Sequence, residues 1–479
     1  MLFVVPDGFT RVGGGETAVG NIARALPDWT FVNLTRTDAT SVPGRANVEL
    51  VPSRLLVLPG TAHALESAGS RWHRYDLEDA VAAMNTAWSV RGQRFDIVDV
   101  PDYASYGRFL PAAFELFGVD VGKFVQSLHG RVSNTYLQEW FKAGRAPNHY
   151  DQARQRAEDM SLNALDGRYA ISEFYRRWLR PRTSLPIELV DPLVYVDIPD
   201  VDQLPRFSGR VPQLVFVSRL ERQKAGDRFI ELLWHLPQEA GARRLVIGND
   251  AQLGGLSGRE RVQTHQWHRH VDRVDYEAQL SPEDLRRRVF LQPSIVILPT
   301  RQDTFNLTAL EAALHGCPIV LGPNCGAYEY LRDRLPGLPM VTFDEDDIPG
   351  TADRLESLIE HFDEARAEGL ATVEQAALRS CLRSFVEAYD APPVHDPAAR
   401  IEAMRDFQDI RREISDSVAG LGAFRLPRLE GHAAPVPGQS TEAGWDGEVA
   451  LLKSMAASRE KLWRYAARNP SGVDRPVRL

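Results

Sequence analysis

Short apolar segments alternate with helix-like segments along most of the chain, and this pattern restricts the fold more than any other feature of the sequence. Strands buried on both faces of a parallel sheet are short and almost wholly apolar, and helices connect them. The predicted strands of the first half are residues 2–5, 29–34, 48–51, 95–100, 123–128 and 168–171. Those of the second half are residues 213–217, 244–247, 271–276, 294–298, 318–321 and 340–343. The pattern predicts an α/β protein with two tandem, doubly wound domains.

A proline-rich segment separates the two halves. Six prolines lie within residues 181–212, and proline lacks a backbone donor and restricts its neighbour. We therefore predict an N-terminal domain at residues 1–200, a C-terminal domain at 210–390, and a helical extension with a Pro/Gly-rich segment at 391–479. The predicted helices are residues 15–26, 152–165, 227–236, 282–291, 305–315, 327–335, 352–365, 372–389, 398–417 and 448–467. Open α/β sheets bind ligands at the carboxyl ends of their strands, so the predicted site lies in a cleft between the two domains.

Charge and composition exclude several classes of protein. The formal net charge of −9 excludes a nucleic-acid footprint spread over the whole molecule. Three cysteines without metal-site spacing suit a reducing compartment. No apolar stretch approaches the ~20 residues that span a bilayer, and residues 1–5 lack the basic start of a signal peptide. We expect a cytoplasmic protein, with association at the cytoplasmic face of a membrane left open.

Glu311 lies on the apolar face of the predicted helix 305–315, in one stripe with Leu307 and Leu314. A buried carboxylate is costly unless it is paired or hydrogen-bonded. Two interpretations remain open at this point: a structural Glu held by an Arg or a backbone amide, and a carboxylate that accepts hydrogen bonds from ligand hydroxyls.

Asp303 precedes the same helix, and it or Thr304 is a candidate N-cap. The unpaired amides of the first turn also make this position a site for anions or hydroxyl groups. Arg219 and Lys224 follow the strand 213–217, where two cations can hold a diphosphate. The alternative for these two residues is a solvated basic loop.

Two weaker motifs lie in the first half. Gly13-Gly14-Gly15-Glu16, between the first strand and the first helix, can bring backbone close to a ligand. His129-Gly130 follows the strand 123–128, which places His129 toward the expected cleft. Each motif is common alone, and a lone histidine is more often structural.

In this order and spacing, the motifs resemble family 4 of the retaining glycosyltransferases, which have the GT-B fold of two Rossmann-like domains facing a cleft. The family shows a Gly-Gly loop, a His-Gly pair and a helix-opening Ser, matched by Gly14-Gly15, His129-Gly130 and Ser172. It then shows an Arg and a Lys separated by four residues, matched by Arg219 and Lys224. An acid and a Glu separated by seven residues follow, matched by Asp303 and Glu311. The resemblance covers about residues 1–343.

The resemblance implies a role for each matched residue. Arg219 and Lys224 bind the donor diphosphate and stabilise it as it leaves, and Glu311 binds the nucleotide ribose. Asp303 binds hydroxyls of the donor sugar together with the backbone amides of Phe305, Asn306 and Leu307. His129 contacts the donor near the reacting carbon, while Gly14 and Gly15 bring backbone close to the phosphates or acceptor. The predicted catalytic residues are His129, Arg219, Lys224 and Asp303.

The chain departs from the family pattern at three places. Asp303 stands where the family usually has Glu, Asn306 replaces a usual Gly, and Asp191-Pro192-Leu193 stands near the place of a usual Asn-Gly. The shorter acid reduces its reach by one methylene. These departures leave the identity of the donor sugar open.

The implied function is transfer of a sugar, with retention, from a nucleoside-diphosphate sugar to an acceptor hydroxyl in polysaccharide, glycolipid or glycoconjugate synthesis. No cofactor and no metal are expected, since two protein cations serve the diphosphate and the Asp-x-Asp sequences at 200–202 and 344–346 suit solvated charge. The alternatives are a sugar-nucleotide epimerase on the same fold and a degenerate GT-B binding or scaffolding protein.

The expected partners are the nucleotide-sugar donor and a carbohydrate, lipid-linked or protein acceptor, and no nucleic acid. Residues 131–149 are a candidate acceptor loop. The predicted helix 448–467 combines apolar and basic side chains. It suits a membrane surface, packing against the first domain, or a homo-oligomer contact through the C-terminal helices.

Overall fold

The computed structural model describes residues 1–5, 14–37, 39–42, 44–57, 60–133, 149–249, 252–253, 256–375 and 381–420. The chain forms two compact units, Met1–Ile410 and Arg411–Leu479. Most of the second unit lies outside the described residues, and so do the predicted helix 448–467 and nearly all of the candidate acceptor loop.

An eight-stranded sheet occupies the first half, in the order β3-β4-β2-β1-β5-β6-β7-β8. Its strands β1 to β8 are Leu2–Phe3, Phe31–Thr35, Ser41–Val42, Arg45–Pro52, Arg94–Pro101, Asp120–Leu128, Gly167–Ala170 and Glu188–Leu189. All neighbours are parallel except β3 and β4. Most residues of β1, β2, β5, β6 and β7 are buried, as expected for strands covered by helices on both faces.

A six-stranded, wholly parallel sheet occupies the second half, in the order β13-β10-β9-β14-β15-β16. Strands β9 to β16 are Gln213–Val217, Arg244–Ile247, Gln252–Leu253, Leu256–Ser257, Val274–Glu277, Ser294–Leu298, Ile319–Leu321 and Met340–Thr342, of which β11 and β12 form a separate hairpin. Every strand predicted from the sequence is present. The missed strands are short and lie at sheet edges or in the hairpin, where apolar patterning is weak.

Fifteen α-helices cover the sheets within the described residues. Helices α1 to α15 are Gly14–Ala25, Thr61–Ser67, Arg74–Ser89, Leu110–Leu116, His149–Ala164, Glu173–Leu179, Gly226–Trp234, Gly258–Arg269, Pro282–Leu285, Leu307–Leu314, Gly326–Arg334, Ile348–Glu360, Phe362–Gln375, Cys381–Asp390 and Pro397–Gly420. A π-helical turn, Arg286–Phe290, continues α9. The prediction of a single helix at 352–365 was wrong, because helix α12 ends before His361 and helix α13 begins after it.

Helix α14 packs against the first sheet, although it follows the second sheet in the chain. Its Phe385 and Tyr389 contact the rings of Trp29 and Tyr169. The buried Lys123 of β6 donates from Nζ to the carbonyl oxygens of Tyr389 and Ala391 at the end of this helix. The C-terminal part of the chain thus contributes to the core of the first half.

No helix among the described residues combines the length and the apolar character needed to cross a membrane.

Candidate active site

The strand order of the second sheet reverses between β9 and β14, and two predicted site residues follow these strands. The loop after β9 carries Lys224, and the loop after β14 carries Asp303. Adjacent parallel strands whose connections leave in opposite directions open a crevice at their carboxyl ends. The topology therefore brings together two residues that are 79 positions apart in the chain.

Lys224 and Asp303 form an ion pair between Nζ and Oδ2. Their side chains are only 12% and 10% exposed. This pairing corrects two interpretations of the sequence: Lys224 is not part of a solvated basic loop, and Asp303 does not cap the helix that follows. The pair lies in a largely desolvated position, where its charges are screened less than at the surface.

Arg301 holds the two loops in place, although the sequence did not single it out. Its guanidinium forms a fork to Asp227 with distances of 2.9 and 2.6 Å, and it also donates to the carbonyl oxygen of Arg222 at 2.8 Å. Burial opposes ionisation of Asp227, but the fork of Arg301 brings the pKa of this carboxyl below its ordinary value. Glu345 accepts from Arg301 at 3.3 Å, so this part of 344–346 is not merely solvated charge.

Arg219 lies on the same loop as Lys224 but points outward. Its side chain is 64% exposed, and Nη1 lies 2.7 Å from Oε1 of Glu221, whose side chain is 7% exposed. Gln223 donates from Nε2 to the other oxygen of Glu221 at 2.8 Å. Arg219 is therefore ion-paired, and the structure does not place it in direct contact with Lys224 or Asp303.

Helix α10 begins at Leu307, two residues later than predicted, and Asn306 is its N-cap. The Asn306 side chain accepts from the backbone N–H of Ala309 at 3.2 Å, so neither Asp303 nor Thr304 is the cap. Asn306 has an extended backbone with φ of −103°, so this position does not require a residue that tolerates the left-handed conformation. Phe305, Asn306 and Leu307 lead directly from the ion pair into the helix.

Glu311 lies on this helix and is partly buried. Among the described residues, no hydrogen bond or ion pair to its carboxylate is found. Burial, and next the charge of Asp197, raises the pKa of Glu311 to about 7. The interpretation of a structural Glu held by an Arg or an amide therefore finds no support in the described part of the chain, whereas a carboxylate awaiting a ligand fits it.

His129 follows β6, beside a buried carboxylate that the sequence did not single out. Asp102 follows β5, the next strand in the sheet, and accepts from the backbone N–H groups of His129 and Gly130 at 3.1 and 3.0 Å. Gly130 has φ of 149°, which side-chain-bearing residues rarely adopt. The sequence did contain a signal for Asp102, because this acidic residue follows β5 directly, and β5 pairs with the strand that precedes His129.

Two tyrosine rings flank the His129 ring. The rings of Tyr169 and Tyr195 meet it edge-on, with centroids 6.4 and 5.7 Å away. Burial lowers the pKa of His129, and the nearby Asp102 and Asp99 only partly oppose this effect. The surroundings of His129 therefore favour the uncharged imidazole.

Thr304 joins this region to the second-half site. Its Oγ1 donates to the carbonyl oxygen of His129, and its own carbonyl accepts from Oγ of Ser172 at 2.7 Å. Ser172 also caps helix α6, as the sequence predicted, by accepting from Tyr175 at 3.1 Å. The structure thus brings His129, Lys224 and Asp303 to one region, with Thr304 between them.

The glycine motif differs from its prediction. Gly14 and Gly15 are the first residues of helix α1 and not part of a loop, and Gly13 lies outside the described residues. The amides of a first helical turn have no partner within the helix, so a role of Gly14 and Gly15 in anion binding stays a prediction.

Comparison with known proteins gives the chain a family and a fold. The family described as "Family 4 Glycosyltransferase in conflict systems" matches residues 134–382. D-inositol 3-phosphate glycosyltransferase of Xylanimonas cellulosilytica is 31% identical over 172 residues, which are 35% of this chain. The chain spans 38% of the length of that relative.

Solved structures share the fold over most of the chain at low sequence identity. Sucrose-phosphate synthase from Thermosynechococcus elongatus has a TM-score of 0.56 at 14% identity, covering 86% of this chain and 98% of its own. WaaG, a glycosyltransferase involved in lipopolysaccharide biosynthesis, has a TM-score of 0.54 at 11% identity, and the match covers 81% of this chain and 99% of WaaG. Anabaena HepE in complex with UDP-glucose has a TM-score of 0.50 at 14% identity, and the match covers 88% of this chain and 99% of HepE. The predicted GT-B fold is confirmed.

Proposed function

The chain belongs to the family 4 glycosyltransferases of conflict systems, and on this premise we propose that it moves a sugar from a nucleoside-diphosphate sugar to an acceptor hydroxyl with retention at the anomeric carbon. The acceptor belongs to polysaccharide, glycolipid or glycoconjugate synthesis in this proposal. We also propose the domain limits predicted from the sequence, which are residues 1–200, 210–390 and 391–479.

The observation that carries the proposal is the arrangement around helix α10. The Lys224–Asp303 ion pair lies just before the helix, and the partly buried carboxylate of Glu311, which has no partner among the described residues, lies about one turn into it. A donor of the form sugar–diphosphate–ribose needs these three kinds of group: an acid for the sugar hydroxyls, a cation for the diphosphate and an acid for the ribose hydroxyls. Leaving a partly buried carboxylate without a partner is costly, which favours a ligand as its partner.

The chemistry assigned to these groups is electrostatic. As the bond from the anomeric carbon to the diphosphate breaks, negative charge grows on the leaving oxygen, and the ammonium of Lys224 and the guanidinium of Arg219 stabilise it. A group that is already oriented in a poorly hydrated site, as Lys224 is, gives the largest stabilisation of this kind. Protein cations, and no metal ion, serve the diphosphate in this proposal.

Retention requires that the acceptor approach from the side of the leaving group. We assign no carboxylate as a nucleophile; the departing phosphate accepts the proton of the acceptor hydroxyl. His129, whose surroundings favour the uncharged imidazole, offers a hydrogen bond to the donor sugar without repelling the positive charge that develops on the sugar ring.

Thermal unfolding with UDP, GDP, ADP and dTDP, followed by the corresponding sugar nucleotides, tests the donor site. The UDP-glucose bound to HepE makes UDP and UDP-glucose the first choices. A ligand at about 100 times its dissociation constant adds about 2.7 kcal/mol to stability. We expect one nucleotide to raise the melting temperature of the wild type, in the presence or absence of EDTA.

The matched variants are Glu311→Gln and Glu360→Gln. Glu311→Gln is expected to abolish the shift, because an amide cannot replace both acceptor oxygens. Glu360 is an exposed residue at the end of α12, and its variant should retain the shift. An equal shift in all three proteins would remove Glu311 from the donor site, and the absence of any shift in the wild type would refute the proposed donor class.

A further inference from the structure

Each of the two cations assigned to the diphosphate already has a carboxylate partner. Lys224 is paired with Asp303, and Arg219 with Glu221. The four formal charges sum to zero, although a site for a nucleoside diphosphate is expected to carry positive charge. Asp303 has an assigned role toward the donor sugar, whereas Glu221 has none.

Glu221 is held firmly in its position. One carboxylate oxygen contacts Arg219 at 2.7 Å, and the other accepts from Gln223 at 2.8 Å. The backbone carbonyl of Glu221 accepts from the N–H of Lys224 at 3.1 Å. Its side chain is 7% exposed while that of Arg219 is 64% exposed. The anchored partner of this pair is therefore the carboxylate, and the movable one is the arginine.

A fixed negative charge beside Arg219, on the same loop as Lys224, opposes the binding of another anion. Coulomb repulsion between two unit charges is about 1 kcal/mol at 4 Å in water and several times larger where water is excluded. A nucleoside diphosphate that has lost its sugar carries more negative charge than the intact sugar nucleotide. The repulsion from Glu221 therefore weakens the binding of the released diphosphate more than the binding of the donor.

We propose that Glu221 is a positioning residue that holds Arg219 and sets a low affinity for the nucleoside diphosphate, so that this product leaves after sugar transfer. The inference rests on the proposed function, since it assigns a step of the same reaction. It predicts that neutralising residue 221 tightens binding, whereas loss of a residue that only supports the loop would weaken it.

Calorimetric titration of wild type and Glu221→Gln with inorganic pyrophosphate, UDP, GDP, ADP and dTDP tests the inference. Glu221→Gln should bind the preferred nucleoside diphosphate on the order of tenfold more tightly. Its affinity should also fall more steeply with salt, because more net positive charge faces the anion. In steady-state assays the product should inhibit the variant at correspondingly lower concentration, and kcat should fall more than kcat/KM.

Three further variants complete the experiment. Glu221→Met suits a nearly buried position and should also bind more tightly, so the test does not depend on one variant folding. Glu221→Asp keeps the charge and should behave like the wild type. Asp275→Asn removes one of the two carboxylate partners of Arg243, at 2.6 Å on β13, and should leave diphosphate affinity unchanged.

The outcomes separate the inference from the proposed function. If Glu221→Gln and Glu221→Met bind the diphosphate equally or more weakly while sugar-nucleotide turnover persists, the inference is overturned and the function stands. If neither the wild type nor any variant binds a nucleoside diphosphate or turns over a sugar nucleotide, both are overturned.

Discussion

At the scale of single residues, the site contains a carboxylate whose ionisation the fold opposes. The pKa of Glu311 is raised to about 7 by burial and by Asp197. Above its ordinary pKa the unfolded chain releases this proton, whereas the folded protein still holds it. The free energy of unfolding therefore falls as pH rises between the two pKa values. The contribution of Glu311 is thus complete below its ordinary pKa of 4.5 and is lost as pH rises through about 7.

Glu311→Gln should remove this pH dependence, because an amide does not titrate. Between about pH 5 and about pH 8 the free energy of unfolding of the wild type should fall relative to the variant by about 2 kcal/mol. Urea unfolding at each pH measures the difference. Glu360→Gln should follow the wild type; parallel curves for Glu311→Gln and the wild type would contradict the raised pKa.

Lys224→Met should slow sugar transfer strongly, because it removes a fixed cation from the leaving group. The expected loss of kcat is ~10²–10³-fold. The variant also leaves Asp303 without its partner, which should cost about 1–3 kcal/mol of stability.

The double variant Lys224→Met/Asp303→Asn separates the two effects of Lys224. It should recover much of the stability, since no charge is left unpaired, but not the turnover. Recovery of both would show that the ion pair serves the fold alone.

At the scale of elements, the position of helix α10 decides where the ion pair and Glu311 lie. The apolar stripe indicated the helix, but its first residue depended on which polar side chain reached the first turn. Asn306 makes that bond to Ala309, while Asp303 and Thr304 are drawn to Lys224 and to the carbonyl oxygen of His129. The sequence offered Asp303 and Thr304 as caps, and Asn306 could not be chosen in their place without knowing these distant partners.

Asn306→Ala should destabilise the protein by about 1 kcal/mol through loss of the N-cap. Asn306→Gly, which introduces the residue usual in the family, should cost only a few tenths of that amount, since glycine is tolerated at this position. Equilibrium urea unfolding measures both. Equal effects of the two variants would indicate that the side chain of Asn306 does not cap the helix.

At the scale of the molecule, the site depends on close contact between the first and the second half of the chain. Thr304 forms hydrogen bonds with His129 and Ser172, and the start of helix α11 packs tightly beside it. A Cβ added at Gly326 would lie 2.4 Å from the carbonyl oxygen of Thr304 and 2.5 Å from Cβ of Ser172. Only glycine allows the backbone to approach this closely.

Gly326→Ser should therefore destabilise the protein by about 1–3 kcal/mol, the usual cost of overpacking, and should lower kcat by displacing Thr304 and Asp303. Gly60→Ser is the matched control, since a Cβ at Gly60 would meet nothing within 4 Å. Thermal unfolding and turnover measure the two variants. Wild-type behaviour of Gly326→Ser would show that the two halves are not in close contact here.

The sequence by itself determined the fold class and selected most of the candidate site residues. Apolar periodicity is a local property of the chain, so every core strand was predicted, and the family motifs selected Lys224, Asp303 and Glu311 by their spacing. The pairing of Lys224 with Asp303 was not predictable, because it depends on atoms that meet only after β9 and β14 become neighbours. For the same reason Arg301 and Glu221 were missed: tertiary structure alone decided which carboxylates neutralise which cations, since the energy of a charge depends on its neighbours in space.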